Sequence, residues 1–268
     1  MIAFRFGHNA GKAVAAPAAA AAAPPKHKKE KGDPKKGQSL GSMFGPARFT
    51  DTTIDSSALQ KGAESVASKQ AVPHLFLDID VRVDALVSLL ENAEGSGTTL
   101  SDCVVRAAAL ALADTPEANA VFDPTTGMRG EPLEGENVGV TQQTAGGAEL
   151  LAVVSGGACS SVSAIAAQRA AGVSSGAVAL SVLFSGAGED AGAGVECGAF
   201  RTVVATGQSL ALSHTCISAL MVPGDGEGAA PVLGHVARVS LAVDGRVLDA
   251  FGAAEFLQKV GKNLATVA

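Results

Sequence analysis

Apolar and polar positions settle into a folded pattern from about Phe49. Between Val72 and Val83 they alternate, with Leu75, Leu77, Ile79, Val81 and Val83 on one side. His74, Asp78, Asp80 and Arg82 take the other side, with Phe76 the exception. A period of two with one apolar face predicts a half-buried strand. Asp84 stands where a helix N-cap belongs, and a short helix is expected through about Glu94. Ser101 is expected to cap a second helix, Asp102 to Asp114, which Pro116 ends. Strand-like runs follow at Val138–Thr141, Leu150–Val154, Val178–Phe184, Phe200–Ala205, Ser209–Val222 and Val232–Val243. Ser160 or Ser161 opens an alanine-rich helix to about Ala171, and Pro223 to Ala230 reads as a hairpin connection. Asp249 caps a last helix, Ala250 to about Leu264, whose apolar stripe is Phe256, Leu257 and Val260. Long antiparallel-looking strands with helices between them predict a mixed-sheet α/β sandwich.

Residues 1–45 read differently and form a separate extension or linker, leaving 46–268 as the folded domain. Ala13 to Pro25 is almost pure Ala and Pro, and Lys26 to Lys36 is a basic run broken by Gly32 and Pro34. Proline stiffens such a segment, lysines repel one another and little apolar surface can be buried. The extension is expected to be disordered or bound to a partner. Lys26, Lys28, Lys29, Lys31, Lys35 and Lys36 are its candidate partner-binding residues. Its start, with Arg5 and Lys12 and no acidic residue before Glu30, also has the character of an organelle-targeting leader.

Charge and composition narrow the function classes. Residues 1–38 carry +6 against −6 for the whole chain, so the remainder carries −12. An acidic body without Trp or Tyr disfavours a nucleic-acid groove, which needs a basic face and stacking aromatics. No apolar run reaches the roughly 18 residues that span a bilayer. Cys103, Cys159, Cys197 and Cys216 lack zinc-like spacing, and five scattered histidines give a metal site no support. The Gly-rich run Ser185 to Gly198 lacks the phosphate-loop pattern and contains Glu189, Asp190 and Glu196, so it reads as a plain loop.

Three segments in register carry a family resemblance. Ser68 to Val83, SKQAVPHLFLDIDVRV, resembles the SKQ-x-x-PH-F opening strand of the catalytic domain of the 2-oxoacid dehydrogenase acyltransferases. After a loop it is followed by a helix and the turn Pro116 to Asn119, similar to that family's P-x-x-N turn. Phe200 to Ser213, FRTVVATGQSLALS, resembles the family strand whose glutamine falls on Gln208. Val239 to Leu257, VSLAVDGRVLDAFGAAEFL, is similar to the segment containing DHRxxDG. The resemblance runs from about Phe49 to Leu264. It implies a chloramphenicol-acetyltransferase-like α/β sandwich, usually a trimer with active sites between subunits.

Acyl transfer to a thiol needs a base for the sulfhydryl proton and a donor for the tetrahedral oxyanion. In the family the DHRxxDG histidine is that base, and a Ser or Thr in a TxSNLG segment is the donor. Here the first run is Asp244-Gly245-Arg246-Val247-Leu248-Asp249-Ala250, so glycine occupies the base position. Setting Leu180 to Gly186 against the second segment puts Leu183 and Phe184 at its Ser and Asn; a shift of one or two residues brings Ser181 or Ser185 there instead. Gly245, Asp249, Leu183 and Phe184 are therefore degenerate site positions, and no catalytic, cofactor or metal residue is expected. The resemblance implies a pseudoenzyme: a structural or docking subunit, homotrimeric or hetero-oligomeric, in a large complex of the mitochondrial matrix or plastid stroma. The alternative is an active acyltransferase with a relocated base and CoA as donor. No lipoyl-type lysine turn is recognised, so the substrate-carrying arm is expected to be missing from this chain.

Overall fold

The computed structural model describes residues 53–92, 97–144, 147–172, 176–184, 199–224, 226 and 230–266. The chain divides into Met1–Asp51 and Thr52–Ala268, and every described element belongs to the second unit. The extension 1–45 with its six lysines, and the Gly-rich run 185–198, lie outside the described residues.

Strand β1 (His74–Arg82) pairs antiparallel with the long β9 (Val232–Asp244), His74 opposite Asp244 and Arg82 opposite Val236. The main sheet continues through β7 (Leu210–His214), β6 (Leu180–Phe184), β4 (Val138–Thr144) and β5 (Gly147–Val154), while β8 (Ser218–Val222) pairs with the first residues of β9. The β4–β6 and β6–β7 pairs are parallel and the others antiparallel, so the expected mixed-sheet α/β architecture is observed. A small hairpin, β2 (Phe122–Asp123) with β3 (Met128–Arg129), stands apart from this sheet.

One face of the sheet carries the core. Val81, Val138, Val140, Leu180, Val182, Leu210, Leu212, Val239, Leu241 and Val243 meet the helices there. Helix α3 (Leu100–Asp114) buries a broad alanine-rich surface, close enough for α5 (Ala250–Thr266) to pack against it. Helix α5 contributes Ala253, Phe256, Leu257, Val260 and Leu264, the stripe expected from its 3.6-residue period. Each of the larger four, Phe256, Leu257, Val260 and Leu264, contributes about 1.5–3 kcal/mol on burial. Helix α2 (Asp84–Asn92) adds Leu86, and α4 (Val162–Ala171) adds Val162 and Ile165 before Gly172 ends it at φ 89°. That left-handed cap favours glycine.

Several boundaries differ from the sequence expectation. Helix α3 starts two residues earlier, because Thr99 is the N-cap and Asp102 closes a capping box with it. Ser101, expected to be the cap, turns its hydroxyl elsewhere. The run Ser209–Val222 is broken at Thr215–Ile217 into β7 and β8. Phe200–Ala205 joins no ladder; it crosses the face of the sheet opposite the helices, where Val204 packs on Ala211 and Ala242. Ser213 Oγ donates to Phe200 O and fixes that crossing. Helix α1 (Ser56–Ala71) was not anticipated. It buries only Ser68, so no apolar stripe announces it, and it ends just before Pro73.

Candidate functional site

The last turn of β9 builds the site. Asp244 is 1 % exposed, and its backbone N–H donates to Ser209 O at 2.8 Å. Its carboxylate accepts from the Arg246 backbone N–H at 3.0 Å, from Nε at 2.9 Å and from Nη2 at 2.7 Å. The guanidinium lies 3.8 Å from the centroid of the Phe122 ring, a cation–π contact. The neighbouring carboxylate pushes the Arg246 pKa up, which fixes its charge. Val247 and Leu248 donate their N–H groups to Asp244 O, closing the turn. Asp249 then caps α5 as expected, its Oδ1 accepting from the Gly252 N–H at 2.7 Å.

Between these two carboxylates sits Gly245. Its N–H donates to Pro73 O at 3.0 Å, and its φ is not in the left-handed region. A Cβ here would meet Pro73 O at 3.1 Å and the Leu75 side chain at 3.5 Å. Gly245, Arg246, Asp249 and Gly252 line an open cleft of about 340 Å³, together with the Glu117–Arg129 ion pair. The turn Pro116–Asn119 positions that pair. Asn119 holds the segment by donating to Leu133 O and Gly135 O.

The structure brings Gly245 and Asp249 together but leaves Leu183 apart. Reading across the ladders, Leu183 lies two strands over and five residues along from Gly245, roughly 20 Å away. Leu183 is buried at 3 % exposure, and Ser181, two residues before it, is buried too. The side chain of Phe184 lies outside the described residues. Gln208, at the β7 end of the site, keeps its Oε1 buried without a partner among the described residues.

Three described histidines could supply an imidazole, and each is engaged. His74, beside the site in the β1–β9 ladder, donates from Nδ1 to Val72 O at 2.8 Å. Its Nε2 accepts from the Val204 N–H at 3.2 Å, so both ring nitrogens are held by backbone. His214 is buried at the far end of β7, against Ser101. His235 pairs through Nδ1 with Asp84 at 3.0 Å, ten residues up β9 and roughly 30 Å from Gly245. The role of His74 as a tie between β1 and the 199–208 crossing was invisible in the sequence, since its partner lies 130 residues away. Among the described residues no group of three His, Cys, Asp or Glu could hold a metal ion, and no helix is long and apolar enough to cross a membrane.

Comparison with known proteins gives this geometry a relative. Residues 51–174 match the family model of the 2-oxoacid dehydrogenases acyltransferase catalytic domain. Over 62 residues, 21 % of this chain, it is 39 % identical to the dihydrolipoyllysine-residue acetyltransferase component of the pyruvate dehydrogenase complex of Zymomonas mobilis. Over 97 residues, 30 % of this chain, it is 33 % identical to component 3 of the mitochondrial counterpart from Arabidopsis thaliana. The matched segments span 14 % and 18 % of those relatives' lengths. The fold is shared with the dihydrolipoamide acetyltransferase of Azotobacter vinelandii, at a TM-score of 0.67 and 19 % identity, covering 87 % of this chain and 97 % of that one. Residues 51–174 are thus similar to the 2-oxoacid dehydrogenase acyltransferase catalytic domain, and the likeness of fold extends over most of the chain.

Proposed function

We propose that this chain is a non-catalytic, acyltransferase-like structural and docking subunit of a larger assembly. The observation that carries the reading is Gly245. Thiol attack on an acyl carbon requires the sulfhydryl proton to leave, and a neutral imidazole within hydrogen-bond reach is the usual acceptor. Glycine offers no ring nitrogen. The groups that remain around it are committed to structure: Asp244 to Arg246, Asp249 to the first turn of α5, and His74 to two backbone groups. The Azotobacter study concerned the roles of a serine, a histidine and an asparagine in catalysis, the last two four residues apart. Gly245 and Asp249 have that separation here. Loss of a general base alone costs about 10²–10⁴-fold.

On this reading the chain uses no cofactor, and its partners are proteins. The two curated relatives are components of pyruvate dehydrogenase complexes, which supports an assembly of that kind, homotrimeric or hetero-oligomeric. The Arabidopsis relative is mitochondrial, and the organelle interior, mitochondrial matrix or plastid stroma, is the proposed location. The test is to incubate the purified full chain with acetyl-CoA and dihydrolipoamide and follow CoA release. The expected rate equals that without protein. Turnover that a single substitution abolishes would overturn the proposal.

One observation favours a second reading, an active CoA-dependent acyltransferase with a relocated base. His235 is oriented by Asp84 through one ring nitrogen, and its side chain is 41 % exposed. Such a couple has the form of a base held by an orienting carboxylate. Within one chain it is too far from the cleft, so a neighbouring copy would have to present it. Turnover lost in H235Q would favour this reading.

A further inference from the structure

The Ser101–His214 contact lies away from the cleft, joins two core elements and is absent from every role considered above. His214 is the last residue of β7 and is 7 % exposed. Its Nε2 stands 2.8 Å from Ser101 Oγ in the first turn of α3, and its Nδ1 stands 3.2 Å from Thr215 O. The carbonyl oxygen can only accept, so Nδ1 carries the hydrogen and Nε2 accepts from the serine hydroxyl. Both partners are uncharged. Across the ladder the neighbour is Val239, which is apolar. The charged groups nearest on α3 are Asp102 and Arg106, and Asp102 is held by Arg169 of α4 at 2.8 Å. On β9, Arg238 pairs with Asp80. The amino end of α3, with its partial positive charge, also faces the ring.

We propose that the Ser101–His214 contact is an acid-sensitive latch, closed at neutral pH, that releases the first turn of α3 from β7 on acidification. A proton added to Nε2 removes the acceptor for the serine hydroxyl and places a cation in a buried site beside a helix amino end. Burial holds the His214 pKa below the usual imidazole value, in agreement with that geometry. The sign follows. With the folded pKa lowered, the latch contributes fully above the unfolded value of about 6.5 and its contribution falls as pH drops below it. The other anchors of this turn, the Thr99–Asp102 capping box and the Asp102–Arg169 pair, do not contain an imidazole.

The experiment is amide hydrogen exchange on the full chain at pH 7.5 and 5.5, corrected for the intrinsic rate, in wild type and in H214Q. Glutamine can accept from Ser101 and donate to Thr215 O but takes no proton. Protection over residues 99–106 should fall in wild type, by up to about tenfold for the one unit from 6.5 to 5.5, and stay within about twofold in H214Q. Equal pH dependence in the two proteins would overturn the latch. Should H214Q fail to fold, the wild-type imidazole is titrated by NMR. A midpoint below the ordinary 6.5, with α3 exchange rising alongside it, supports the proposal; a midpoint at 6.5 or above overturns it.

Discussion

Gly245 gives its backbone N–H to Pro73 O at 3.0 Å, and a Cβ on Gly245 would stand 3.1 Å from that same oxygen. The residue just before β1 therefore both ties Gly245 down and crowds the space a side chain there would need. In G245H the backbone needs no left-handed conformation, but Pro73 O must yield a few tenths of an ångström to the new Cβ, while Leu75 stays in ordinary contact with it. Overpacking of this kind costs about 1–3 kcal/mol. G245H should fold, lose about that much stability in urea unfolding, and leave acyl transfer at background. Leu183, which the sequence sets against the family's oxyanion donor unless a shift brings Ser181 or Ser185 there, lies roughly 20 Å away on the same chain. A rate more than about tenfold above background would show that the base was the single missing part.

Arg246 is held on two sides, by the Asp244 carboxylate and the Phe122 ring. Asp244 is buried, so removing the guanidinium leaves its carboxylate with only the backbone N–H of residue 246 as a donor. Breaking such a pair costs about 3 kcal/mol, at the lower end of the buried range because the guanidinium is 33 % exposed. R246A should lose about that amount in urea unfolding, and R246K should recover part of it without the two-point grip. A loss below about 1 kcal/mol in R246A would place this pair with surface ion pairs instead.

The elements whose apolar faces are buried in this chain were legible in the sequence. Leu75, Leu77, Ile79 and Val81 announced β1, and Asp249 with Phe256, Leu257 and Val260 announced α5. Helix α1 was not legible, because its one buried residue, Ser68, is polar and bonds to Val204 O. Ser101 looked like a cap because serine is a good one; Thr99 won because Asp102 reaches back to its N–H at 2.9 Å. Phe200–Ala205 is apolar enough for a strand, yet its contacts run to the sheet's opposite face and not along an edge. At the site, the identity of Gly245 was plain. The ties that surround it, His74 to Val204 and Gly245 to Pro73, depend on chain crossings that no local pattern records.

Acid should weaken the junction between α2 and β9. Hydrogen bonding from Arg82, then from the His235 backbone N–H, lowers the Asp84 pKa to about 2. A carboxylate lowered in the folded state contributes stability above its unfolded value near 3.8, and the contribution is lost as pH falls through about 2. Melting temperatures of wild type and D84N, compared from pH 7 down to pH 2, should differ at neutral pH and converge below about pH 4. A constant difference across the whole range would mean that Asp84 acts through shape and not through charge.

Thiol chemistry should separate the cysteines by position. Cys103 is buried in α3, and desolvation, reinforced by the Asp102 charge, pushes its pKa to about 12. The thiolate is the reactive species, so at pH 8 this side chain is both shielded and protonated. Cys159 and Cys216 are exposed. Iodoacetamide applied to the native protein at pH 8 should label Cys159 and Cys216 and leave Cys103 unmodified by peptide mass spectrometry. Unfolding in urea should bring Cys103 up to their rate. Because its reaction requires opening of the α3 core, the labelling rate of Cys103 in the native protein measures that opening directly. Raised Cys103 labelling in R246A would report loosening transmitted from the β9 turn, whereas an unchanged rate would confine the effect of Arg246 to its own turn. Fast native labelling of Cys103 in wild type would contradict the packing of α3 against the sheet.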